Sequence, residues 1–214
     1  MERNAETRKT NKTVGYNYSM DIEIICKKGD VDIKDLKSFS KKLAKRSVTI
    51  GVHKAEGNKI NDVSKTKLID YACYNEFGHP ENAGADGRPP SRSFVRKIAN
   101  DSKARNEIKQ KEYDEMTKIA QAHFKGNTNE MINNMYSEVG KVALDCMIYY
   151  IENSSQFYIG NADRTIKNKG FDHPLLDTGL LVKSLRVKIR GNNDAVLKVP
   201  NLTKGYVAPE QRGK

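Results

Sequence analysis

Apolar and polar positions alternate first from Met20 to Cys26, with Ile22, Ile24 and Cys26 set against Asp21, Glu23 and Ile25, a pattern that predicts a strand buried on one face. Asp32 to Lys45 switches to helical spacing. Ile33, Leu36, Phe39 (or Ser40) and Leu43 share one side, and Lys41, Lys42, Lys45 and Arg46 load the C-terminal end, where cations suit the helix dipole. Ser47 to His53 alternates again through Val48, Ile50 and Val52, then meets a Gly57-Asn58 turn and a polar loop through Ser64. Thr66 to Phe77 groups Leu68, Ile69, Ala72 and Cys73 as a helix that stops at Gly78, with Pro80 beyond it. Pro90 presets a helix whose first turn carries Arg92, Phe94 and Arg96.

Two long helices follow. Asp101 or Ser102 caps the first, which runs through Phe124 with Ala104, Ile108, Met116, Ile119, Ala120 and Phe124 as its apolar members, and Gly126 ends it. Asn127-x-x-Glu130 reads as a capping box for the second, which runs to about Asn153. Its seam is Met131, Met135, Val139, Val142, Cys146 and Tyr149, and at 1.5 Å per residue it forms a rod of roughly 35 Å. The stretch from Asn161 to Leu185 is a joint, with a Gly170 turn, a rigid Pro174, and Asp177 or Thr178 capping a short helix. Leu185 to Arg190, a turn at Gly191 to Asp194, and Ala195 to Val199 form a β-hairpin with Arg186, Lys188 and Arg190 along one face. The fold class is α+β: a small, mainly antiparallel sheet packed by two long helices, with extended arms at both ends. The domain plan is a flexible arm over residues 1–19, one α+β domain over 20–199 with a surface loop at 79–90, and a loose tail over 200–214.

Composition changes this picture little, but charge adds to it. Of 214 residues, 37% are hydrophobic and 30% charged, and the mean hydropathy of −0.74 is polar for a compact enzyme. No run of eighteen apolar residues is present and the N-terminus lacks a signal-peptide pattern, so synthesis and use in a cytoplasm, without a membrane, are expected. The net charge of +11 is uneven: +6 over residues 1–60, +1 over 61–100, −2 over 101–160 and +6 over 161–214. Basic ends of this kind fit contact with nucleic-acid backbone or an acidic partner, without sequence specificity.

Candidate chemistry is sparse. Cys26, Cys73 and Cys146 lie far apart and read as reduced thiols, and His53, His79, His123 and His173 are equally scattered, so neither a metal site nor a cofactor is expected. Leu175-Leu176-Asp177-Thr178-Gly179 resembles the Asp-Thr-Gly loop of retroviral-type aspartic proteases, which need two carboxylates sharing a proton. One copy is present, and only Leu180 to Lys214 follow it, too few residues for the flap and second strand layer. No enzyme is expected.

A different resemblance spans more of the chain. Thr165-Ile-x-x-Lys-Gly170, then Pro174-Leu-x-Asp177-Thr178-Gly179-x-Leu181-x-x-Ser184-Leu185, resembles the closing motif of small neck and tail-completion proteins of tailed bacteriophages, the HK97 gp10-like and virion-morphogenesis families. Asn75-Glu76-Phe77-Gly78 followed by Arg88-Pro-Pro-Ser-Arg92-Ser-Phe94-Val-Arg96 resembles a second pair of motifs in the same families, and together the motifs cover Val48 to Ile189 in the expected order. The resemblance implies a non-enzymatic virion subunit, assembled in a host cytoplasm, that completes or terminates the tail and joins it to the head as a closed, sixfold ring. Its partners would be other copies of itself, a neighbouring neck or connector protein and the tail tube protein, with transient non-specific contact to genomic DNA in the lumen.

The subunit or partner interface would then comprise Asn75, Glu76, Phe77, Arg92, Phe94, Arg96, Pro174, Leu175, Asp177, Thr178, Gly179 and Ser184, with an arginine pairing to Glu76 on a neighbouring copy or, more blandly, Phe94 packing while the arginines stay solvated. Arg186, Lys188 and Arg190 form the candidate DNA- or partner-facing basic row. The alternative is a basic nucleic-acid-binding protein outside any virion, although the chain has no Trp and no recognised DNA-binding motif.

Overall fold

A computed structural model describes residues 32–60, 65–78, 90–122, 124, 126–191 and 195–198. The predicted strand over Met20 to Cys26, both terminal arms and the 79–89 part of the loop lie outside the described residues. In chain order the elements are α1 (Ile33–Leu43), β1 (Ser47–Val52), α2 (Lys54–Gly57), α3 (Leu68–Phe77), α4 (Phe94–Asn100), α5 (Ser102–Gln121), α6 (Thr128–Glu152), α7 (Ser154–Phe157), α8 (Asp163–Lys169), α9 (Leu180–Lys183), β2 (Leu185–Arg190) and β3 (Ala195–Lys198). The chain is α+β.

The sheet runs β1-β2-β3, antiparallel throughout, with β2 in the middle. Its register sets Val48 opposite Ile189, Ile50 opposite Val187 and Val52 opposite Leu185, so both alternating apolar sets fall on one face. α6 lies on that face. Gly140 sits at the contact, where a Cβ would stand 2.4 Å from Val187 Cγ1 and 3.1 Å from Val48 Cγ2. Lacking a Cβ there, the helix settles directly onto the two valines.

From α6 the core spreads in two lobes. The larger gathers the sheet face, Leu68 and Ala72 of α3, Phe94, Val95 and Ile98 of α4, the start of α5, the C-terminal half of α6, and Leu175, Leu176, Leu181 and Val182. The smaller holds Phe39 of α1, Met116 and Ile119 of α5, Phe124, and Ile132, Met135 and Tyr136 of α6, with Ile189 reaching it from β2. Capping follows the predicted chemistry: the carboxylate of Asp101 accepts from the N–H groups of Lys103 and Ala104, and the Asn127 side chain accepts from Glu130 N–H. The Asn127 amide also donates to the Glu130 carboxylate at 3.3 Å, a side-chain version of the expected capping box.

Several expectations need correction. The buried arc of α6 comprises Ile132, Met135, Tyr136, Val139, Gly140, Ala143, Leu144, Cys146, Met147, Tyr150 and Ile151, while Met131 and Val142 are half-buried and Tyr149 is 51% exposed. The predicted seam marks one edge of this arc, because α6 is packed by the sheet, α1, α4 and α5 rather than along one stripe. Ile33, at the first turn of α1, is 68% exposed. α5 stops at Gln121, and Phe124, at φ 55°, turns back to donate its N–H to Ile119 O. α4 starts at Phe94, so Arg92 precedes the helix. Part of the joint is helical, as α8, which ends on Gly170 at φ 81°. Gly179, not Asp177 or Thr178, is the N-cap of α9, although Thr178 Oγ1 accepts from Leu180 N–H at 3.4 Å.

The contact at Gly140 makes a prediction about stability. Gly140→Ala gains about 1 kcal/mol of helix propensity but overpacks two stiff valines at a cost of about 1–3 kcal/mol, so no gain and a net loss of up to about 2 kcal/mol is expected in urea unfolding. A more stable variant would show that the helix stands farther from the sheet.

Candidate functional site

The motif residues meet in one place. α3 ends at Gly78, at φ 82°, leaving Asn75, Glu76 and Phe77 on its last turn. When the chain returns, Arg92 N–H donates to Asn75 O at 2.6 Å and Ser91 Oγ donates to Glu76 O at 2.9 Å. The side chain of Glu76, only 1% exposed, then reaches the start of α4. Its carboxylate accepts from Val95 N–H at 2.8 Å, Arg96 N–H at 2.9 Å and Arg96 Nε at 2.9 Å. Ser93, the N-cap of α4, makes no side-chain cap bond, so Glu76 caps this helix from a different one. Burial pushes the Glu76 carboxyl above its ordinary value, while the donors of Val95 and Arg96 pull the other way.

Arg92 extends the assembly. Its guanidinium donates to Ile159 O, at 3.3 Å from Nε and 3.2 Å from Nη2, and to Gly160 O at 2.9 Å, and Tyr158 Oη donates to Ser93 O at 3.0 Å. Asp172 holds the same turn from the other side by accepting from Asn161 N–H at 2.8 Å and Asn161 Nδ2 at 3.0 Å. Lys169 Nζ donates to His173 O at 2.7 Å and also to Leu176 O, and Ser154 Oγ donates to Pro174 O. Burial lowers the Lys169 ammonium and raises the Tyr71 phenol, and the charge of Asp177 raises both groups. The closing motif is thus folded around a lysine, with Leu175 (φ 64°) and Leu176 driven into the core.

Most of the predicted interface is therefore internal. Asn75, Glu76, Arg92, Phe94, Pro174, Leu175, Gly179 and Ser184 are buried within the chain. Glu76 pairs with Arg96 of its own chain at 2.9 Å, so it is not held for an arginine of a neighbouring copy. The bland reading needs correction too, since Arg92 is buried and bonded rather than solvated. Phe77 is 59% exposed beneath the Arg96 guanidinium, Thr178 is exposed, and Arg96 and Asp177 are half-buried. The basic row also loses a member. Arg186 is buried, donates to Lys183 O and Leu185 O at 2.7 Å each, and lies 3.4 Å from Glu56. Its strand partner Gly51 has no side chain, and α2 brings Glu56 over that end of the row. Lys188 stays half-buried and Arg190 exposed.

Sequence reasoning missed Tyr71, Tyr158 and Asp172 as members of this cluster, because nothing in local spacing brings them together, and quoted Lys169 only as a residue of the closing motif. It also missed a second feature, a groove of about 370 Å³ between α5 and the C-terminal half of α6, lined by Lys103, Ala104, Glu107, Val142, Asp145, Cys146, Tyr149 and Tyr150. Cys146 Sγ donates to Glu107 Oε2 at 3.6 Å, and burial, followed by the charge of Glu107, pushes the thiol up to about 11. Among the described residues, no group of three or more His, Cys, Asp or Glu is placed to hold a metal ion. No helix among them is long and apolar enough to cross a membrane. The architecture defined here is an α+β domain with a motif-built polar knot. No family model, curated protein or solved structure matches the chain.

Two expectations follow from this geometry. Glu76→Ala strips buried N–H groups of their acceptor and should cost about 2–4 kcal/mol in chemical unfolding, against about 1–2 kcal/mol for Glu76→Gln, which keeps one acceptor oxygen. At pH 8, Cys146 should react with iodoacetamide roughly 100-fold more slowly in the folded chain than in urea, read by peptide mass spectrometry, because so little of it is thiolate. Equal rates would contradict its burial.

Proposed function

We propose that this chain is a structural, non-enzymatic subunit of a tailed bacteriophage or phage-like particle, one copy of a closed ring at the neck that completes or terminates the tail and joins it to the head. The observation that carries the reading is the convergence of the motifs on which the neck-protein resemblance rests. Glu76, Arg92, Arg96 and the Lys169 to Gly179 stretch build one connected polar knot, so the resemblance falls on residues with a shared structural task.

That knot joins α3 and α4 to the segment leading into the central strand β2. A subunit held in this way is stiff between its helical side and its sheet, as a ring under load requires. Phe77 and Ile159, 59% and 75% exposed, stand outside the knot and suit contact with a neighbouring neck or tube protein. Arg190 and Lys34, Lys37 and Lys41 of α1 are exposed, and in a ring they would tolerate DNA passing through the lumen. On this reading the protein resides in the virion.

Electron microscopy of particles made when this gene alone is deleted tests the proposal. Separate DNA-filled heads and unjoined tails are expected, with tails of uncontrolled length if the protein terminates the tube. Intact, infectious particles would overturn the reading and leave the exposed lysines of α1 to be explained by nucleic-acid binding outside a virion.

A further inference from the structure

α6 carries different chemistry at its two ends. Near its N-terminus, Ile132, Met135 and Tyr136 hold Phe39, and Leu36 and Leu43 of α1 pack against the same lobe, which fixes α1 there along its length. The opposite face of α1 is bare: Ile33, Lys37 and Lys41 follow one another at four-residue steps and all are exposed. From Asp32 to Arg46 the segment holds six cations and two carboxylates. Toward the C-terminus of α6 lies the groove between α5 and α6. Its exposed carboxylates are Glu107 and Asp145, Tyr149 stands 51% exposed beside them, and Lys103 is the one cation among its lining residues. Glu107 already accepts the Cys146 thiol, whereas Asp145 has no hydrogen-bond or ion-pair partner among the described residues and feels only the desolvation that raises its carboxyl.

These two surfaces are complementary but cannot meet within one chain. Tyr136 and Tyr149 are thirteen residues apart on the same helix, roughly 20 Å along its axis, and α1 is tied to the Tyr136 end. We propose that the groove between α5 and α6 receives α1 of a second copy of this chain, with Ile33 against Tyr149 and Lys37 and Lys41 facing Asp145 and Glu107. Because the two surfaces differ, the contact is head-to-tail and repeats from copy to copy, as closed rings require. The inference rests on the ring reading above and names the surfaces that close the ring. Salt weakens such a contact, since its charged members are exposed in the free chain.

The test uses the purified full-length chain, with mass photometry and sedimentation velocity at low and physiological salt. Wild type should form discrete oligomers that loosen as salt rises. Asp145→Lys, and separately Lys37→Glu with Lys41→Glu, should each weaken assembly at least tenfold in concentration, with circular dichroism and melting unchanged because all three positions are exposed. Mixing the two variant proteins should restore hetero-assembly, because each retains one intact surface and the swapped charges attract each other. Oligomers unaffected by either variant would overturn this interface while leaving the ring reading standing. A wild-type chain that stays monomeric at high concentration would overturn both. A monomer whose groove instead captures a synthetic lysine-rich helical peptide, with Asp145→Lys abolishing capture, would overturn a second copy as the occupant.

Discussion

Everything in this fold depends on how closely α6 can approach the sheet. At Gly140 the helix backbone meets Val187 and Val48 without a Cβ between them, and that contact brings one 25-residue helix within reach of β1, β2, α1, α4 and α5. A glycine in mid-helix forgoes about 1 kcal/mol of propensity, which is small beside the apolar area that close packing removes from water. The two core lobes are therefore one core divided by the length of a single helix. Val48 touches both lobes, which shows how little separates them.

Around that spine, the irregular segments are held by charged groups turned inward. Glu76 caps a helix it does not belong to, Arg92 gathers the carbonyls of Ile159 and Gly160, and Lys169 gathers those of His173 and Leu176. Each satisfies backbone groups that a helix end or a turn leaves unpaired, and Glu76 is costly to remove because Val95 N–H would then be buried without a partner. Motifs rich in Arg, Glu, Pro and Gly invite reading as exposed contact surfaces. Here the same residue types act as internal fasteners, and the side chains they leave exposed beside them are Phe77 and Ile159.

This division matters for the proposed role in a phage neck. A ring subunit must keep its shape while its neighbours pull on it, and a knot of charge-assisted bonds between helices and the segment entering β2 resists local opening better than a loose loop does. On the proposed reading, the contacts that would build the ring belong to less specialised surfaces, the lysine face of α1 and the groove beside Asp145 and Tyr149. Because these lie near opposite ends of α6, each copy in such a ring would offer its neighbour one donor surface and one acceptor surface.

By itself the sequence determined the elements whose periodicity is strong. The α+β class, the alternation of β1 and β2, the two long helices, the cap at Asp101 (read as Asp101 or Ser102), the cap at Asn127 and the Gly78 stop were all legible, because each depends on neighbours within a turn or two of chain. Tertiary structure decided the rest. The apolar seam along α6 was misplaced because burial on several sides widens the arc beyond what one stripe reveals, leaving Tyr149 outside. Arg186 looked like part of a solvated row until α2 carried Glu56 across it. Glu76 and Arg96, twenty residues apart, read as free to seek another copy, but the return of the chain at Ser91 and Arg92 brings them within 2.9 Å of each other. Local spacing sets which face a residue occupies, but what covers that face depends on segments distant in sequence, and only the folded chain brings those together.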